Sequence, residues 1–146
     1  MEVRYRDLSV QSPQKEELLK AVDKVLSHGQ ILLGPEVTEF EKNVSVHNKT
    51  DFAVGVGCGT DAIFLSLKAL GVGPGDEVIT TSLSWIATAN AVVSCGAKPI
   101  FVDINDDLNI NPDVIENYIT PKTKAIIPVH FTGRLCKMDK ILEIAK

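Results

Sequence analysis

Residues 52–70 read FAVGVGCGTDAIFLSLKAL. Phe52, Val54 and Val56 are strand-forming residues separated by small ones, and the stretch predicts a strand. Gly55, Gly57 and Gly59 then remove side chains where the chain must turn. After Thr60 the apolar period changes. Ile63, Leu67 and Leu70 fall at i, i+4 and i+7, with Ala62 and Leu65 beside them, so a largely buried helix is expected. The first turn of such a helix leaves backbone N–H groups unpaired at the positive end of its dipole. Behind a glycine turn that is an anion site suited to phosphate. Ordinary turn chemistry accounts for the same residues, so the pattern by itself does not assign a ligand.

Two sharper phosphate motifs fail here. A Walker loop needs Lys and then Ser or Thr after its last glycine, whereas Thr60-Asp61 follows Gly59. The dinucleotide fingerprint needs G-x-G-x-x-G. Gly55-Val56-Gly57 starts it, but Thr60 stands where the third glycine belongs. The next predicted strand ends in Thr80-Thr81, with no acid for a ribose. Nicotinamide binding is disfavoured.

Outward from this stretch, helices and strands alternate. Ser12-Pro13 reads as a helix start, followed by the apolar face Leu18, Leu19, Val22, Val25 and Leu26 and by a stop at Gly29. Pro35 opens a second helix with Val37, Phe40 and Val44 on one side. The turn Gly73–Asp76 leads into a strand over Glu77–Thr81. A helix is expected over Trp85–Val93, a strand over Pro99–Val102 and a helix from Asn111-Pro112 to Ile119. A buried strand over Ala125–Val129 and a last helix over Met138–Ala145 complete the series. This order predicts an α/β fold with a mostly parallel sheet, right-handed crossovers and helices on both faces. No repeat or linker divides the chain, so residues 1–146 are expected to form a single unit.

The totals exclude several classes. A net charge of −4 without a Lys/Arg cluster disfavours a nucleic-acid surface. No apolar run is long enough to span a bilayer, and MEVRYRDLSV has no signal core, so a cytoplasmic protein is expected. Cys58, Cys95 and Cys136 are odd in number and lack C-x-x-C spacing, which fits reduced thiols better than a disulfide frame or a zinc site. No metal site is expected.

In open α/β sheets, ligands bind beyond the carboxyl ends of the strands. Three loops qualify: 57–61, 82–85 and 130–133. Trp85, the only tryptophan, could stack on a planar cofactor held by its phosphate at the first loop, or could belong to the core.

Taken together, GQILLGPEVTEFE, VGVGCGTDAIFLSLKALGVGPGDEVITTSLSWIATANAVVSCGAKPIFVDI and ITPKTKAIIPVHFTGRLCKMDKI resemble the amino-terminal part of the DegT/StrS-type sugar aminotransferases. These are pyridoxal 5'-phosphate enzymes of the aspartate-aminotransferase fold (fold type I). The resemblance implies that the chain is an amino-terminal portion of the cofactor-binding large domain. It implies that Gly59, Thr60 and Asp61 hold the phosphate and that Trp85 stacks on the ring. Gln30, in the segment Gly29–Leu32, and Cys58 are implied at the sugar-nucleotide side. Cys58 stands where relatives often have Ser, either as a small neutral side chain or as a thiol whose thiolate the helix end favours.

The family's Schiff-base lysine and its aspartate partner for the pyridinium nitrogen belong downstream of Lys146. No catalytic residue is therefore expected in these 146 residues, and the chain alone is expected to be inactive. The implied reaction moves an amino group, from glutamate, to a nucleotide-linked keto-deoxysugar in polysaccharide or secondary-metabolite sugar biosynthesis. The implied assembly of the complete enzyme is a homodimer. The alternative is a non-catalytic module that keeps the phosphate or sugar-nucleotide pocket without the lysine.

Overall fold

A computed structural model describes residues 9–146. Met1–Leu8, most of the polar stretch weighed above as a signal segment, lies outside the described residues. The chain divides into two compact units between Gly55 and Val56.

The first unit holds α1 (Ser12–His28) and α2 (Pro35–Asn48). Each has a proline at its start, where a missing N–H costs nothing. Gln11 rather than Ser12 is the N-cap of α1, and Gly29 ends that helix in the left-handed conformation (φ 73°). Gly34 caps α2, and a Cβ there would run into the carbonyl oxygen of Gln30, so only glycine fits. Residues 52–56 do not form the predicted strand. A strand needs a ladder partner, and the Gly55 N–H instead donates to Glu41 Oε1 at 2.7 Å.

The second unit runs α3 (Gly59–Ala69), β1 (Glu77–Thr81), α4 (Ala87–Ser94), β2 (Lys98–Val102), β3 (Thr123–Ile127) and α5 (Met138–Ile144). The sheet is parallel with order β2-β1-β3. Glu77 stands opposite Lys98 and Thr123, and Ile79 opposite Ile100 and Ile126. Alternation along β1 serves two cores. Val78 packs with Leu67, Val72, Val92, Cys95 and Ala97 on the α3–α4 face. Ile79 packs with Val102, Ile110, Ile115, Cys136 and Ile141 on the α5 face. Helical layers on both faces of a parallel sheet are the architecture the sequence predicts.

Several boundaries differ from expectation. Helix α4 starts at Ala87, not Trp85. Before it the chain is a tight turn in which the Thr88 N–H donates to the Trp85 carbonyl and Ser84 Oγ pairs with Thr88 Oγ1 at 2.7 Å. The helix predicted from Asn111-Pro112 to Ile119 is a turn followed by a short 3₁₀ segment, Ile115–Tyr118. Asn111 does not cap it: the N-cap is Val114, without a side-chain bond, and Asn111 Oδ1 instead closes a turn ahead of the segment by accepting the Asp113 N–H at 2.9 Å. Ile119 is already extended (ψ 128°), and Thr120 is restricted by Pro121. Strand β3 lies two residues earlier than predicted because Pro128 has no N–H for the ladder. The Ile127 carbonyl receives Thr80 Oγ1 at 3.0 Å.

The buried helix predicted over α3 is only partly covered. Leu67 is buried, whereas Leu65 and Leu70 are 49% and 63% exposed. Between α3 and β3 runs an open groove of about 340 Å³ lined by Ile63, Leu67, Leu70, Ala125 and Ile127. Strand β3 pairs only with β1, so its other edge is free among the described residues. An apolar groove beside an unpaired edge favours association. The purified 146-residue chain is expected to self-associate in light scattering; a monodisperse monomer across a concentration series would contradict this.

Candidate functional site

The carboxyl edge of the sheet is where β1, β2 and β3 end at Thr81, Val102 and Ile127. Helix α4 joins parallel strands β1 and β2, so it runs back along the sheet and begins at that edge. Helix α3 returns through residues 70–76 to the amino end of β1, and its apolar face lies along β3. Its N-terminus therefore also points to the carboxyl edge. The 57–61 turn and the Trp85 loop, separate in sequence, come to the same edge.

At the first turn of α3, Cys58 occupies the N-cap in extended conformation and makes no side-chain cap bond. Among the described residues, no acceptor reaches the amides of Gly59, Thr60 and Asp61. A Cβ added at Gly59 would meet nothing within 4 Å, so no packed side chain crowds the turn at that residue. A phosphate fits this arrangement: unpaired N–H groups, a helix dipole and no side-chain bulk. One feature works against it. Asp61 Oδ2 lies 2.7 Å from where a Gly57 Cβ would stand, so its carboxylate already leans over the glycine turn. Carboxylate and phosphate are attracted by the same positive helix end, and anion binding requires the Asp61 side chain to swing aside while its amide stays.

Trp85 is 80% exposed, which removes the core reading weighed for it. Its loop is shaped locally: Thr81 Oγ1 accepts the Leu83 N–H at 3.2 Å, and Ser84 is tied to Thr88. The ring is thus presented on a fixed turn at the head of α4.

Gln30 belongs to the first unit and is described there alone. It lies in the exposed bend between α1 and α2, where its N–H donates to His28 Nδ1 at 3.1 Å. His28 Nε2 lies 3.2 Å from Glu36, and Lys24 Nζ lies 3.1 Å from the same carboxylate. The Lys24 ammonium, with His28 adding to it, holds the Glu36 carboxyl below its ordinary range. Cys58 is exposed at the head of α3, whereas Cys95 and Cys136 are buried. Burial, reinforced by the negative charge of Asp107, pushes the Cys136 thiol up, so it stays protonated.

Sequence reading missed Asn109. It is 1% exposed and joins the loop after β2 to the loop after β3. Its signal was weak, a single Asn inside a polar Asp/Asn stretch. Among the described residues no helix is long and apolar enough to cross a membrane, and no group of His, Cys, Asp and Glu is arranged to hold a metal.

Comparison with known proteins bears on the family and the fold. The chain is 44% identical, over its full length, to a pleiotropic regulatory protein of Geobacillus stearothermophilus, of which it covers 40%. It is 43% identical over 98% of its length to a UDP-2-acetamido-2-deoxy-3-oxo-D-glucuronate aminotransferase of Pseudomonas aeruginosa, again covering 40%. The crystal structure of NtdA from Bacillus subtilis with bound cofactor PMP superposes on 93% of the chain with a TM-score of 0.91 and 42% identity. The chain spans 32% of that protein. The α/β fold is that of the matching part of this enzyme, in agreement with the fold-type-I expectation. With the family model aligned from residue 12 to residue 146, the chain belongs to the DegT/DnrJ/EryC1/StrS aminotransferase family.

Proposed function

We propose that residues 1–146 are the amino-terminal part of the cofactor-binding large domain of a pyridoxal-phosphate-dependent sugar aminotransferase. The reaction is transfer of an amino group, from glutamate, to a nucleotide-linked keto-deoxysugar in polysaccharide or secondary-metabolite sugar biosynthesis. The complete enzyme is a cytoplasmic homodimer. The observation that carries the reading is the carboxyl edge itself: open amides at Gly59, Thr60 and Asp61 beside an exposed Trp85, in a chain of this family. The Pseudomonas relative supports the substrate class by its name.

When bound, the cofactor supplies the electron sink that stabilises carbanion charge. The amides of Gly59, Thr60 and Asp61 hold its phosphate. Trp85 covers one face of the ring and keeps water from it. Cys58 borders the sugar-nucleotide side; Gln30, in the first unit, is a separate candidate contact for the sugar nucleotide.

A second reading is favoured by the name of one relative. Lys68 is exposed on α3, and Lys122 and Lys124 lie at the amino end of β3, the edge opposite the site. A non-catalytic module that holds phosphate or sugar nucleotide without a lysine would share this layout, and the Geobacillus relative bears a regulatory name.

Titration with pyridoxal 5'-phosphate, followed by borohydride reduction and peptide mapping, tests the proposal. The 146-residue chain is expected to bind the cofactor weakly, in competition with inorganic phosphate, and to show no stoichiometric label on any one lysine. Absence of phosphate-sensitive binding would overturn the cofactor reading. A single stoichiometric lysine adduct would overturn the expectation that the chain alone lacks the catalytic lysine.

A further inference from the structure

The loops that follow β2 and β3 are locked together by one buried side chain. Asn109 Oδ1 accepts the Phe131 N–H at 3.0 Å, while its Nδ2 donates to the carbonyls of Arg134 (3.2 Å) and Leu135 (3.1 Å). One N–H donor and two carbonyl acceptors fix which end of the amide is which. The Asn109 backbone is held as well, its N–H by Asp107 Oδ1 at 3.1 Å and its carbonyl by the Asn105 N–H at 2.9 Å. The loop so pinned contains Thr132 in the left-handed region (φ 51°), which a β-branched residue adopts only when its surroundings impose it.

His130 is the residue this arrangement presents. It follows β3 after Pro128 and Val129, is exposed, and accepts the Cys136 N–H on Nδ1 at 3.1 Å. The neutral ring therefore carries its proton on Nε2. Among the described residues nothing pairs with that Nε2. Cys136 is itself fixed, its Sγ donating to the Val129 carbonyl at 3.2 Å. The result is an N–H donor of fixed tautomer at the sheet edge that also carries the Gly59 turn and Trp85.

We propose that His130 is a further cofactor-binding residue, donating from Nε2 to an oxygen of bound pyridoxal phosphate, and that Asn109 is the positioning residue that holds its loop. This rests on the cofactor reading above. The donor adds a directional hydrogen bond from the β3 side to an anionic ligand held at the head of α3.

The test combines binding with two local readouts on the 146-residue chain. His130→Ala, at an exposed position, is expected to keep the fold and to weaken pyridoxal 5'-phosphate binding about tenfold. Asn109→Ala is expected to weaken it comparably, to raise amide exchange at Phe131 at least about tenfold, and to mix the His130 tautomers seen by ¹⁵N NMR. The double variant should be no weaker than the weaker single one, because Asn109 acts through His130. If Asn109→Ala does not fold, Asn109→Asp, which keeps the acceptor for Phe131 but loses both donors, takes its place. Wild-type chain that binds no cofactor would overturn the cofactor reading and this inference with it. Wild-type binding matched by His130→Ala would overturn the inference alone. Unchanged Phe131 exchange and tautomer in the Asn109 variant would overturn the positioning role.

Discussion

Replacing Ile79 by alanine is expected to cost about 2–5 kcal/mol of folding stability. Ile79 is 0% exposed at the centre of β1 and touches a core built from three later parts of the chain: Val102 of β2, Ile110 and Ile115 of the connection, and Cys136 with Ile141. Most of these groups sit on a strand and tight turns that resist collapse into the vacated space, with Ile141 on α5, so a cavity term adds to the lost transfer energy. A domain has only about 5–15 kcal/mol in total. Urea unfolding followed by circular dichroism should show a clearly lowered midpoint. A loss under about 1 kcal/mol would mean that α5 closes over the gap and that the second core is loosely packed.

The second large effect is expected at Trp85. Its ring is exposed, so Trp85→Ala should leave the melting temperature of the cofactor-free chain nearly unchanged. Pyridoxal 5'-phosphate retention should nevertheless fall by about tenfold, the scale of one aromatic contact of about 0.5–1.5 kcal/mol together with its lost area. Trp85→Phe should recover most of it. Melting and cofactor titration on the same samples separate the roles. Strong destabilisation with unchanged affinity would make Trp85 a structural residue and would leave the ring unsupported on this side.

Much of this protein was legible in residue order. Strand β1 lies where Glu77–Thr81 was expected, since its bounds are set by a glycine-proline turn and by polar residues after Thr81. The helix end at Gly29 follows from the one residue type that takes a positive φ without strain. The glycine turn before α3 was equally readable, because an open helix start is defined by side chains that are missing. These are local features, and local steric rules suffice for them.

Features that depend on distant partners were not readable. Residues 52–56 have strand composition yet form no strand, because their Gly55 N–H is taken by Glu41 and no ladder neighbour exists among the described residues. Whether Trp85 was core or surface depended on what packs around the head of α4, which composition cannot state. Asn109 looked like any loop residue. Its burial and its bonds to Phe131, Arg134 and Leu135 exist only because parallel β2 and β3, on either side of β1, send their following loops to the same edge. Sequence alone determined the order of elements and the residue types at each turn. Only the tertiary structure decided which polar groups lost their water and had to find one another, because desolvation is a property of the packed chain and not of any segment within it.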